Sequence, residues 1–149
     1  IGAVAPRPIH FMAKYELFTS PLKRVLLKAL LAFPVYRKQA DMLSLKQAMS
    51  VLERGHIFGI FPEGRRSMTG ELDAFEKGAA FLALRCAAPI IPLYADPQWR
   101  KHGRVRMIVG EPMNAKDIAD AHAGRGVDAV TDAIRDRMQD LKNEMERDF

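Results

Sequence analysis

Gly59-Ile60-Phe61-Pro62-Glu63-Gly64-Arg65-Arg66-Ser67 passes from apolar to charged within a few residues. The apolar run it ends, residues 56–61, has the length of a buried strand and is too short for a helix. Pro62 and Gly64 stop it. A strand whose C-terminal end delivers a carboxylate, two guanidiniums and a hydroxyl builds a polar site. Open α/β sheets place their ligands at that edge, and arginine forks match phosphate geometry. Gly64 can take unusual backbone angles and lets an anion approach the amides. From spacing alone the segment is either an anion site or a polar turn with surface arginines.

Working outward, residues 9–13 and 33–36 read as two further short strands. Residues 90–94 and 104–109 read as a fourth and fifth. Helices are predicted over 21–32, 41–54, 77–87 and 128–147. The first starts at Ser20-Pro21, with Ser as cap and Pro in the first turn; Leu22, Val25, Leu26, Ala29 and Leu30 form its stripe. The second has Asp41 as a cap and Gly55 as its stop, with Leu45, Ala48, Met49 and Leu52 in line. The last carries Val130, Ile134, Met138, Leu141 and Met145. Residues 62–74 and 122–126 read as loops. Strands alternating with helices of this length predict one α/β domain over residues 1–149, with a mostly parallel sheet flanked by helices.

The bulk properties agree. The chain has 149 residues, enough for one domain with a core. It is 48% apolar and 28% charged, ordinary for a globular protein. A net charge of +5 fits phosphate substrates, anionic lipid or nucleic acid, and equally a solvated surface with a basic excess. Cys86 is the single cysteine, so no intramolecular disulfide forms and a reducing compartment is expected; it reads as a small core residue. No signal-peptide pattern opens the sequence. The longest apolar stretch, residues 25–35, is interrupted by Lys28 and Pro34 and falls short of the ~20 residues a spanning helix needs.

Other cations flank strand ends. Arg37 follows the strand 33–36; were that strand and 56–61 parallel neighbours, Arg37 and Arg66 would converge. Lys14 follows the first strand. Lys77 stands at a helix start, against the helix dipole, either to meet an anion or as a solvated side chain. The four histidines have no metal-ligand spacing, and Ser67 is not in a G-x-S-x-G elbow. No G-x-x-x-x-G-K-[ST] or G-x-G-x-x-G is present. The basic residues form no nucleic-acid motif, so no nucleic-acid partner is expected.

Phe61-Pro62-Glu63-Gly64-x-Arg66-Ser67 resembles the F-P-E-G-T-R-S motif of the glycerolipid acyltransferases, and the chain is most similar to their bacterial 1-acylglycerol-3-phosphate branch. Phe11-Met12-Ala13-Lys14 with Glu16-Leu17-Phe18, Phe33-Pro34-Val35-Tyr36-Arg37, Phe75-x-Lys77-Gly78-Ala79-Ala80 and Pro89-Ile90-Ile91-Pro92-Leu93 resemble further family blocks in the same order. The resemblance covers about residues 9–112. It implies a glycerol-3-phosphate acyltransferase-like fold. The implied reaction moves a fatty acyl group from acyl-CoA or acyl carrier protein to the sn-2 hydroxyl of lysophosphatidic acid, giving phosphatidic acid in phospholipid biosynthesis, with no metal or organic cofactor. Arg37, Glu63, Gly64 and Arg66 would bind the glycerol-phosphate end, with Ser67, Lys14 and Lys77 as further contacts. Pro92 would shape a wall of the site. An anionic membrane surface is a further implied partner, at its cytoplasmic face.

Two departures stand out. The family Thr is Arg65 here. The family's catalytic H-x-x-x-x-D is missing: the residues five after His10, His56, His102 and His122 are Tyr15, Phe61, Met107 and Val127. The expectation is therefore a chain that starts after that pair, lacks the N-terminal part of the fold, and holds phosphate without carrying the base, so that alone it is inactive. Two alternatives remain from the sequence: an acyltransferase for another lysolipid, and a non-catalytic lipid- or anion-binding module.

Overall fold

In the computed structural model, residues 5–36, 42–64, 72–96, 103 and 105–147 are described. They fall into two compact units, residues 1–60 and 61–149.

The first unit is built on a parallel sheet. Strands β1 (Ile9–Lys14), β2 (Ala32–Val35) and β3 (Ile57–Gly59) lie in the order β2-β1-β3. Met12 pairs with Phe33 on one side of β1, and His10 with Phe58 on the other. Phe33 and Phe58 therefore share a face, and their rings stack 5.8 Å apart across β1. On the opposite face Phe11 lies over Gly59, where any Cβ would overlap its ring. Helix α1 (Pro21–Ala29) begins after Ser20 with Pro at its first turn, as the sequence predicts, although the Ser20 side chain makes no capping hydrogen bond. It ends earlier than predicted because Leu31 turns left-handed at φ 57°. Helix α2 (Met42–Glu53) buries Ser44, Ala48 and Val51; the Ser44 hydroxyl donates to the Pro34 carbonyl at 2.9 Å. Gly55, at φ 75°, stops it. The predicted cap, Asp41, lies outside the described residues.

The adjacency on which convergence of Arg37 and Arg66 was conditional is not met. β2 and β3 are parallel but not neighbours, because β1 lies between them. A short 3-10 turn, Tyr15–Phe18, follows β1 and buries Phe18; the sequence reading did not include it.

The second unit packs helices on a hairpin-like pair of strands. Helix α3 (Gly78–Cys86) ends at Ala87, in the left-handed region. Strands β4 (Leu93–Ala95) and β5 (Met107–Val109) pair antiparallel with each other instead of lengthening the parallel sheet. Asp96 and Arg106 close the pair, with two guanidinium nitrogens donating to one carboxylate oxygen at 2.7 and 3.1 Å. Helix α4 (Ala115–Ala121) is an addition to the predicted elements; the Asn114 side chain caps it by accepting from the Lys116 amide. Helix α5 (Gly126–Arg147) supplies the core. Val130 and Ile134 pack with Ala80, Ala83 and Ala115, and Leu141 and Met145 pack with Tyr94. No helix among the described residues is long and apolar enough to cross a membrane.

Candidate functional site

The site is organised by the stop after β3. Phe61 to Gly64 closes a turn in which the Gly64 amide donates to the Phe61 carbonyl at 3.0 Å. Gly64 stands at φ 61°, and a Cβ there would meet the Glu76 side chain at 3.3 Å. Both the backbone angle and the close approach favour glycine. The Glu76 amide donates to the Pro62 carbonyl at 2.7 Å, which ties the turn to the residue two before α3. Glu63 and Lys77 are thus each one residue from a shared hydrogen bond.

Glu63 carries the chemical signal. Its Oε2 is buried and accepts no hydrogen bond among the described residues. An unsatisfied buried polar atom costs about 1–3 kcal/mol, more when charged. Such a group is uncommon in a folded protein and marks a place where a donor belongs.

Lys77 has a partner within the protein. Its ammonium lies 2.6 Å from Asp128 Oδ1 in the first turn of α5. Hydrogen bonding from Lys77 holds the Asp128 carboxyl below its ordinary value of 3.8, helped by the charges of Lys77 and Arg125. The pair explains why a cation is tolerated at the start of α3: Asp128 offsets it, and also suits the positive end of its own helix. Both side chains are at least half exposed, so the pair is weak and open to exchange.

Lys14 ends β1 and is exposed. The three strands run the same way, so Lys14 and the ends of β2 and β3 share the carboxyl edge of the sheet, where ligands of open α/β sheets bind. Arg37, Arg66 and Ser67 lie outside the described residues, as does Arg65. Pro92 is buried against the space above Gly110. Sequence reasoning missed Glu76 and Asp128. An acid opposite a lysine that opposes its helix dipole was the available signal, but 51 residues separate that pair.

Comparisons with known proteins bear on this geometry. The Acyltransferase family model matches residues 1–96. The 1-acyl-sn-glycerol-3-phosphate acyltransferase of Bacillus subtilis (strain 168) is 34% identical over 149 residues, covering 97% of this chain and 74% of that protein. Its namesake from Streptococcus pneumoniae is 29% identical, with 95% of this chain and 54% of that protein covered. In fold, the chain matches the crystal structure of the LPA acyltransferase PlsC from Thermotoga maritima, with a TM-score of 0.66 at 24% identity, over 89% of this chain and 56% of that one.

Proposed function

The chain belongs to the acyltransferase family, and from that premise we propose that it forms the acceptor-binding part of an enzyme acylating the sn-2 hydroxyl of 1-acylglycerol-3-phosphate. The acyl donor is a thioester, acyl-CoA or acyl carrier protein. The hydroxyl oxygen attacks the thioester carbonyl, the new C–O bond forms, the C–S bond breaks, and the hydroxyl proton passes through a base to the leaving thiolate. Arg66 and Ser67, in the motif turn, hold the phosphate so that the hydroxyl meets the carbonyl; positioning of this kind supplies a large part of such barriers. The His and Asp of the H-x-x-x-x-D motif come from outside these 149 residues. The enzyme works at the cytoplasmic face of a membrane, where its lipid substrate and product reside.

The observation that supports this reading most is the buried, undonated Glu63 oxygen in the motif turn. A carboxylate held there awaits a donor from the phosphate-gripping guanidinium or from the glycerol end of the acceptor. In the enzyme carrying the H-x-x-x-x-D pair, Arg66→Ala should lower kcat/KM for lysophosphatidic acid about 100-fold, the size of a lost charge-assisted contact. Folding should be unaffected. Equal use of a monoacylglycerol, which lacks the phosphate, would contradict the proposal. A second reading, a lipid-binding module without catalysis, is favoured by the missing H-x-x-x-x-D. Reading the coding sequence upstream of Ile1 for that motif in frame separates the two.

A further inference from the structure

Helix α1 buries none of its residues. Its apolar stripe is open to solvent: Leu22 is 79% exposed, Val25 68%, Leu26 58%, and Leu30, just past the helix, 60%. At about 100° per residue these four span roughly 140° of the helix surface. Leu27 is the only residue of the helix that is not exposed. It projects about 120° from the centre of the stripe, so the stripe faces away from the side that packs.

Charge indicates the occupant. Lys23 borders the stripe beyond Leu30, and Lys28 borders it beyond Val25. Between Glu16 and Asp41 the sequence holds five cations, Lys23, Arg24, Lys28, Arg37 and Lys38, and no acid. A leucine-rich face edged by lysines is the pattern of helices that lie in a lipid interface, with the lysine stems along the apolar zone and the ammonium groups at the headgroups. Tyr15 and Tyr36 stack with ring centroids 4.4 Å apart and are also exposed. Tyrosine has the amphipathic ring enriched at membrane surfaces. A second copy of this chain is disfavoured, because pairing two such faces would bring like charges together.

We infer that α1 seats the Leu22, Val25, Leu26 and Leu30 stripe in the interfacial layer of an anionic bilayer, with Lys23 and Lys28 at its headgroups. This deepens the proposed membrane placement and rests on it, yet vesicle binding is read without any acyl transfer. The helix lies on the surface; at nine residues it is far too short to span.

The test is flotation of the 149-residue chain with vesicles of phosphatidylcholine alone and of phosphatidylcholine with phosphatidylglycerol. The wild-type chain should bind the second far better, with binding weakened by salt. The triple variant Leu22→Ser, Val25→Ser, Leu26→Ser should lose at least about 100-fold in partitioning, since it removes three large apolar side chains from the buried face. Its far-UV circular dichroism should be unchanged, because these positions are exposed. Lys23→Gln with Lys28→Gln should cost about 25-fold, some fivefold per cation. Lys116→Gln, an exposed cation on α4, should change binding less than twofold. No binding by the wild-type chain, full binding by the triple serine variant, or an equal loss with Lys116→Gln would each overturn the inference. So would a lipid-free dimer in sedimentation that the triple serine variant dissociates, which would assign the stripe to a second copy. Absence of vesicle binding by the wild-type chain, with acyl transfer intact in the enzyme carrying the H-x-x-x-x-D pair, sinks only this inference. Vesicle binding without any acylation of lysophosphatidic acid by the enzyme carrying the H-x-x-x-x-D pair sinks the functional reading.

Discussion

Helices α1 and α5 both carry an apolar stripe at helical spacing, yet α5 buries Val130, Ile134, Leu141 and Met145 while α1 leaves Leu22, Val25, Leu26 and Leu30 in solvent. Period 3.6 determines which side chains share a face. It does not determine what covers that face. The polar residues do distinguish the two helices. Helix α5 mixes six acids with four bases and closes ion pairs such as Arg137–Glu144 at 3.0 Å, the surface of a helix with water on one side and core on the other. Helix α1 has cations and no acids, a surface suited to an anionic partner.

The largest expected effect tests that contrast directly. Leu141 is fully buried, so Leu141→Ala should cost about 2–5 kcal/mol of stability. Leu26→Ala should stay within about 0.5 kcal/mol. Urea denaturation of both variants checks this, and equal losses would break the comparison. Next, Gly59→Ala asks whether the looseness of α1 extends to the sheet of its own unit. The new methyl would overlap the Phe11 ring, and overpacking of this kind costs about 1–3 kcal/mol. A neutral result would mean that the sheet is as loosely packed as α1.

Two pH effects are smaller. His10 sits 5.4 Å from His56 between ring centroids. Burial first, then the charges of His56 and Arg54, keep its pKa below the ordinary 6.5. Around that pH the unfolded chain therefore binds more protons than the folded one. Stability is complete above pH 6.5 and falls as pH drops through the folded value. His10→Gln should flatten that part of a stability–pH curve; an unchanged slope would contradict the assignment. The smallest effect belongs to the exposed Lys77–Asp128 pair. The depressed Asp128 pKa stabilises the fold above pH 3.8, and that contribution disappears as pH falls through the lower folded value. Asp128→Asn should be slightly destabilising at pH 7 and neutral in acid, as followed by thermal melts.

Much of the fold was legible because its signals are local. Gly55 ends α2, Pro62 and Gly64 end the run after β3, and each marks a stop through its own backbone chemistry. The missed elements lack such signals or depend on distant partners. Helix α4 has seven residues and almost no room for a period. The antiparallel pairing of β4 with β5 and the placement of β1 between β2 and β3 are choices of partner, which alternation along one strand does not encode. At the site, Glu63 and Gly64 were readable from the turn they build. That Oε2 of Glu63 is buried without a donor is a tertiary fact. The family blocks made the site recognisable beyond what spacing supports, since spacing alone left a polar turn as the alternative to an anion site.

The central claim is that the turn after β3 holds the acceptor's phosphate. Phosphorus NMR of lysophosphatidic acid, titrated with this chain, tests it most directly. The account predicts a saturable shift of the phosphate signal that Arg66→Ala abolishes, Glu63→Gln weakens, and monoacylglycerol does not reverse. A shift that survives unchanged in both variants would contradict it.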